Sequence, residues 1–379
     1  VHYPGTEELG KDEIRLFACG TGMPLARLGQ AATCWLVELG NGDKFLFDIG
    51  SGSFERISAM EIPFNYLDKV FIGHLHSDHF GDLDGLYCGG IVANRVVPLR
   101  VWGPSSIEPK YGTKVAIEHF EKMLAWDIDT RVGNTDTRGA FIDVTEFDYT
   151  AVNEVIYQDN GVTIRTIPAI HIFDGAVSFI LEWKGMKVAF SGDTLANKWW
   201  LEAARGADLA IHECFHTPGQ MAEWYNQAPA VALWLSTQGH TSPQAFGKIM
   251  STIKPRHAIA YHFFNEEATR YEIYDGVRQV YDGPLSMATD NMVWNVTPDG
   301  VKERMAVITH EAWSVPGPTR QGPPETGRRP VFSDFTNSGY WKPAYDAQND
   351  ALDKHMEKYE LQDEDWRPGM YKLIEKGGE

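Results

Sequence analysis

Residues 71–82 read FIGHLHSDHFGD, three histidines and two aspartates set directly behind the apolar run KVFIG. A chain that gathers so many ligand-type side chains at the end of a strand must give them a common target or carry an uncompensated polar cost. If the backbone is still extended here, His74 and His76 face the same way and can reach one metal ion. Asp78 and His79, past the turn, address a second point a few ångströms on. The competing reading has the same residues capping a turn and accepting backbone donors. It suits an isolated His-Asp pair better than this cluster.

The segments around the motif alternate in character. IRLFACGTGMP reads as a strand running into a glycine turn, and ATCWLVELGNGDKFLFDIGSG as strand, NGD hairpin and strand. LDGLYCGGIVANR is a crossover helix leading to the strand PLRVWGP. Residues 113–126 fit an amphipathic helix, with Val115, His119, Met123 and Trp126 on one side. Further on, GVTIRTIPAIH, GAVSFILEWKGMKVAFSGDT and ADLAIHECF supply strand, hairpin and strand, and SPQAFGKIMSTI is a Ser-Pro-initiated helix before the strand HAIAYHFF. Strands alternating with helices imply helical layers over sheets, here in two sheet-rich halves with polar residues at the strand ends. No internal repeat is obvious in the residues themselves.

Residues 129–160 carry seven acidic against two basic side chains, which fits either an insertion or a pair of edge strands. Residues 311–330 hold five prolines and three glycines, the composition of a linker or wrapping arm. The tail 331–379 has one plausible helix near 349–361, and its Trp341, Tyr345, Tyr359, Trp366 and Tyr371 lead us to expect packing on the main domain or on a neighbouring subunit. The division expected is a catalytic domain over 12–310, with 113–165 an insertion or variable region, then an arm and acidic extension over 311–379.

The 379 residues can bury a large core without metal or disulfide staples, so a metal here serves chemistry rather than folding. Cys19, Cys34, Cys88 and Cys214 are too scattered for a thiolate zinc site. The formal charge of −18 argues against an anionic polymer as partner. No apolar stretch has the length of a membrane span. The first residue is valine, so a removed signal peptide, with a periplasmic or secreted location, and a cytoplasmic protein are both open.

The motif His74, His76, Asp78, His79 resembles the HxHxDH signature of the metallo-β-lactamase superfamily, and the likeness extends over about residues 14–265. PAIH places His171, AFSGDT places Asp193 and IAYHF places His262 behind their strands. Alone, His171 reads as a capped strand end, Asp193 as a turn residue and His262 as a core histidine near Phe263 and Phe264. The resemblance implies an α/β fold, the αββα sandwich, with a Pro-rich, partly helical C-terminal extension. It implies two zinc ions, one on His74, His76 and His171, the other on Asp78, His79 and His262, with Asp193 bridging. Manganese or iron suits the same donors in either position.

HECFH, residues 212–216, satisfies the HExxH pattern of zinc peptidases, but that pattern needs a helix and this one sits on an apolar strand before Pro218. Glu213 and GHTSPQA, with His240, instead resemble the ribonuclease Z and arylsulfatase-like branch. That likeness gives His240, held by Glu213, the contact to the scissile group and protonation of the leaving oxygen. Asp78 would orient the attacking water. His212 and His216 have no clear part, although His216 can line the pocket. GTGMP, residues 20–24, lacks a P-loop lysine and reads as a turn shaping the metal pocket.

The function expected is therefore dinuclear hydrolysis of a small aryl sulfate ester or phosphodiester by metal-activated hydroxide. A lactonase or other carboxylic ester hydrolase and a non-catalytic metal-binding protein of the same fold are the alternatives. Trp199, Trp200, Phe215, Trp224 and Tyr225 are candidates for an apolar wall or for core and dimer contacts. Long RNA is disfavoured, because the acidic 129–160 region shows no basic Gly/Pro-rich exosite. A homodimer or higher oligomer is compatible with the tail.

Overall fold

In the computed structural model the described residues are 1–131, 137–313, 315, 333–339 and 341–361. The chain first lays down β1 (Ile14–Gly20), β2 (Cys34–Leu39), β3 (Lys44–Phe47), β4 (Lys69–Phe71), β5 (Leu99–Pro104) and β6 (Ile142–Phe147) in one sheet. It then builds a second sheet from β7 (Glu154–Asp159), β8 (Val162–Pro168), β9 (Val177–Trp183), β10 (Met186–Phe190), β11 (Leu209–Glu213), β12 (His257–Tyr261) and β13 (Leu285–Met287). Finally β14 (Met292–Thr297) and β15 (Gly300–Met305) return to the first sheet beside β1.

Each sheet is an antiparallel meander that turns parallel. β1 to β3 pair antiparallel and β3 to β6 parallel; β7 to β10 pair antiparallel and β10 to β13 parallel. The two halves thus repeat one topology that is not visible in their residues. In consequence β1, β3 and β4 of one sheet end on a common edge, as do β8, β10, β11 and β12 of the other, and crevices beyond such carboxyl ends are where α/β folds bind ligands.

The inner faces of the two sheets share one apolar core that includes Trp35, Phe47, Phe71, Phe179, Phe190 and Trp294. Helix Leu83–Val92 covers the outside of the first sheet, and helices Lys198–Ala203, Pro243–Ile253 and Glu267–Arg278 cover the second, giving the αββα sandwich. Trp35, Phe47, Phe71 and Trp102 are in register across four strands. Phe47 stacks on Phe71 at 5.3 Å and, from the other sheet, on Phe190 at 4.0 Å. Phe71 lies three residues before His74 and Phe190 three before Asp193, so this stack fixes the spacing of two candidate ligand segments. Phe47→Ala is accordingly expected to cost about 3–5 kcal/mol of unfolding free energy. Urea denaturation of the variant checks it, and a loss under about 1 kcal/mol would mean that the stack is dispensable.

Several expectations need correction. The helix at 113 ends at Met123 and a second one runs Ala125–Arg131. Its buried side is Thr113, Ile117 and Phe120, while His119, Met123 and Trp126 face solvent. Ile117 and Phe120 pack inward beside Thr113, whose hydroxyl donates to the Pro104 carbonyl at 2.8 Å. Of the two readings of residues 129–160 the structure bears out the pair of edge strands, since β6 and β7 each form one edge of a sheet. In the tail, helix Asn349–Lys358 buries no residue, and Trp341 and Tyr359 are exposed. Most of the Pro-rich arm, together with Trp366 and Tyr371, lies outside the described residues. No helix among the described residues is long and apolar enough to cross a membrane.

Candidate metal centre

Beyond β4 the chain bends at Gly73 and reaches His76, whose backbone is extended (φ −68°, ψ 149°) and which opens the one-turn helix Ser77–Phe80. His74 Nε2 comes within 2.9 Å of His76 Nδ1, and the helical turn directs Asp78 and His79 inward, both buried. Gly50 makes this turn possible, because a side chain there would collide with the Asp78 carbonyl. His171 follows β8 and places Nε2 3.4 Å from His76 Nδ1. His262 follows β12 in a left-handed conformation, φ 70°, held by donation of its N–H to the Thr21 carbonyl at 3.0 Å. This contact is what the GTGMP turn does for the site.

Asp193, behind β10, lies between the two groups. Its Oδ1 is 3.1 Å from His79 Nε2, and its Oδ2 is 3.2 Å from His262 Nε2 and 3.7 Å from His171 Nε2. His262 Nε2 is also 3.1 Å from Asp78 Oδ2. Two quartets result, His74, His76, His171, Asp193 and Asp78, His79, Asp193, His262, each with donor atoms within 4.8 Å of one another. Asp193, Glu213, His240 and His262 form a third such group, but Glu213 is engaged elsewhere.

The donor set fits divalent cations. Asp78 Oδ1, His79 Nε2 and Asp193 Oδ1 are buried and have no hydrogen-bond partner among the described residues. Lone pairs converging in a dry site are costly unless a cation lies between them. Two of the outer ring nitrogens are held as metal ligands require, whereas Nδ1 of His74 and of His262 is buried without a hydrogen-bond partner among the described residues. His171 Nδ1 donates to the Gly239 carbonyl at 3.0 Å, and His79 Nδ1 is 2.7 Å from Asp48 Oδ2. Burial drives His74 well below its ordinary pKa and His171 down to about 4, so both present neutral lone pairs. For His79 burial acts the same way, but Asp193, Asp48 and Asp78 outweigh it and hold the ring well above the ordinary value.

Sequence reasoning missed Asp48. It ends the strand in FLFDIGSG at φ 59°, and its other oxygen accepts the Gly73 N–H at 2.7 Å, which binds β3 to the start of the motif. A carboxylate between a strand end and a glycine was the available signal. Asp48→Ala should weaken metal affinity about 10- to 100-fold. A competition titration against a chromogenic chelator measures it, and unchanged affinity would show that His79 needs no holder.

Glu213 closes β11 and is fully buried. Its Oε1 accepts the Thr194 N–H at 2.7 Å and its Oε2 is 2.9 Å from His240 Nδ1. Phe215 stacks on the His240 ring at 4.1 Å. Burial acts to lower the His240 pKa, but Glu213, then Asp193 and Asp78, outweigh it and push it up to about 9. His212 packs against Trp200 in the core, so Trp200 is no part of a substrate wall. His216 does not line the open pocket: buried, it accepts from the Phe264 N–H at 3.1 Å and meets Gln220 and Tyr225. The HExxH residues lie on a strand and the turn after it, not on a helix, which removes the peptidase reading.

Residues 14–227, more than half the chain, match the family described as anti-Pycsar protein Apyc1. The chain belongs to that family. Among related sequences, a ribonuclease Z of Mycobacterium bovis is 30% identical over 203 residues, covering 52% of this chain and 69% of the relative. The metallo-β-lactamase fold protein YhfI of Bacillus subtilis superposes with a TM-score of 0.56 at 19% identity, covering 76% of this chain and all of YhfI. Human tRNase Z, short form, gives 0.54 at 19% identity, over 74% and 98% of the two chains. This Apyc1-family member therefore has the metallo-β-lactamase fold and is a metal-dependent hydrolase with ribonuclease Z among its relatives. The expectation against long RNA is corrected by those relatives. Net charge and an acidic edge describe the whole surface, whereas substrate choice depends on the local field of the cleft.

Proposed function

We propose that the chain hydrolyses a phosphodiester with two zinc ions, held by His74, His76 and His171 on one side and Asp78, His79 and His262 on the other, with Asp193 shared. The observation that carries this reading is the Glu213–His240 pair, 2.9 Å apart, with His240 Nδ1 3.8 Å from Asp193 Oδ2. Two divalent ions in such a site lower the pKa of bound water toward neutrality and stabilise charge developing on the phosphoryl oxygens. Asp78 Oδ1 accepts a hydrogen bond from the attacking water and fixes its direction. Glu213 occupies His240 Nδ1, so Nε2 is the nitrogen that faces the substrate. As the water oxygen bonds to phosphorus it gives a proton to Asp78, and as the ester P–O bond breaks His240 Nε2 passes its own proton to the departing alkoxide; Asp78 then releases its proton to solvent and His240 regains one. Phe215 holds the imidazole flat for that transfer. A donor of this kind suits a phosphodiester, whose alkoxide is a poor leaving group, and relatives named ribonuclease Z support phosphorus over sulfur.

Parallel assays on aryl sulfate, phosphodiester, phosphomonoester, lactone and thioester substrates, with an RNA precursor as a further arm, test the proposal. The phosphodiester should be cleaved fastest with zinc added. Faster turnover of the sulfate ester or the lactone would overturn it.

A further inference from the structure

His262 differs from His171 and His79 in what holds it. Those two are fixed through ring Nδ1, by the Gly239 carbonyl at 3.0 Å and by Asp48 at 2.7 Å. Nδ1 of His262 is buried and has no such partner among the described residues. Stacking on His240 at 5.0 Å limits the tilt of the ring but not its advance toward Asp78. Its position must therefore come from the backbone, which takes the left-handed conformation that side-chain-bearing residues rarely adopt, φ 70°. The turn at residues 21–31 keeps it there. His262 N–H donates to the Thr21 carbonyl at 3.0 Å; Gln30 Nε2 donates to the Phe263 carbonyl at 2.8 Å, and its Oε1 accepts the Asn265 N–H at 3.0 Å. Both ends of that turn converge on one buried carboxylate from the loop before β14. Asp290 Oδ1 accepts from the Thr21 N–H at 3.0 Å and the Thr21 hydroxyl at 2.9 Å, and Oδ2 accepts from the Ala31 N–H at 2.6 Å. Arg56 Nε lies 2.7 Å from the same Oδ2 and supplies the counter-charge.

We propose that Asp290 is the positioning residue for His262, a role that rests on the ligand set proposed above: through Thr21 it sets where the ring stands in the position shared with Asp78 and His79. A carboxylate suits the task because its two oxygens accept from every donor around it and it has no proton of its own to place. Hydrogen bonds to an ionised acceptor are about twice as strong as neutral ones, so one residue can keep the turn closed. Asparagine would aim its NH2 group at the Thr21 or the Ala31 N–H, and one end of the turn would come loose. The limbs of the turn touch backbone to backbone, since a side chain on Gly20 would start 1.7 Å from the Ala32 carbonyl oxygen. A shift at Ala31 is thus passed on to Thr21 and from there to His262. None of these contacts reaches His74, His76 or His171, so the effect belongs to one metal position.

Zinc titration of the metal-stripped, full-length chain against a chromogenic chelator separates this role from a general loss of stability. Asp290→Asn should weaken one of the two zinc equivalents about 10-fold and leave the other unchanged. In a His262→Ala background, where the ring is gone, the same substitution should change zinc affinity no further. Thr21→Val removes only the hydroxyl between Asp290 and Gln30 and should weaken the same equivalent by less, while Thr21→Ser should titrate like the wild type. This pair carries the test if Asp290→Asn does not fold. Hydrogen–deuterium exchange of the metal-free chain reads the backbone directly: the peptide covering His262 should exchange faster in Asp290→Asn and Thr21→Val, with β11 as protected as in the wild type. Equal weakening of both equivalents, a further loss in the His262→Ala background, or unchanged exchange at His262 overturns the role of Asp290. If the wild type takes up less than one zinc, the ligand set falls, and the exchange measurement alone decides whether Asp290 holds His262.

Discussion

Asp193→Ala is expected to empty both metal positions and to lower turnover on the order of 10³-fold or more. Asp193 belongs to every candidate cluster, and its two oxygens reach histidines on both sides, His79 at 3.1 Å and His262 at 3.2 Å. Removing the carboxylate takes a donor from each position at once and leaves Asp78, 3.1 Å from His262, as the one carboxylate among the seven side chains. Zinc should then cease to protect the fold: it raises the wild-type Tm through preferential binding to the native state, and the variant should show no such rise. Metal analysis of the purified variant and a zinc titration followed by thermal unfolding check both parts. A variant that keeps both ions with wild-type turnover would remove Asp193 from the centre.

His240→Ala should behave in the opposite way, keeping the metals and losing rate. General acid catalysis by a positioned imidazole contributes about 10²–10⁴-fold, so a loss of that order is expected for an alkyl leaving group. The loss should shrink for 4-nitrophenolate, which departs without a proton. Glu213→Gln should fall between, because the amide still accepts the His240 Nδ1 proton but no longer supplies a charge. Rates across phosphodiesters of graded leaving-group pKa, with metal content measured on each sample, test the assignment. An equal loss for every leaving group would make His240 a structural residue of the turn.

What could be read from the residues alone followed the distance over which each interaction acts. HLHSDH announced itself because its side chains and its preceding strand are local, and His171, Asp193 and His262 share the same strand-end setting. The structure brings all seven to one crevice. Asp48 also follows a strand, but it stands there alone, and its role comes from meeting His79, 31 residues on. The helix at 113 was legible as a helix, but its buried face was not, because Met123 and Trp126 are as apolar as the Ile117 and Phe120 that pack inward. Likewise nothing local tells that Trp200 belongs to the core while Trp234, on a surface helix, stands beside Gly239. The repeated sheet topology was invisible for a related reason, since strand pairing constrains pattern far more than residue identity.

On the proposed reading these seven side chains hold a pair of ions. Metal analysis of the full-length chain, purified without chelator and dialysed against zinc-buffered solution, tests it most directly. About two zinc ions per chain are expected in the wild type and none in Asp193→Ala. Substantially less than one tightly bound ion in the wild type would contradict it.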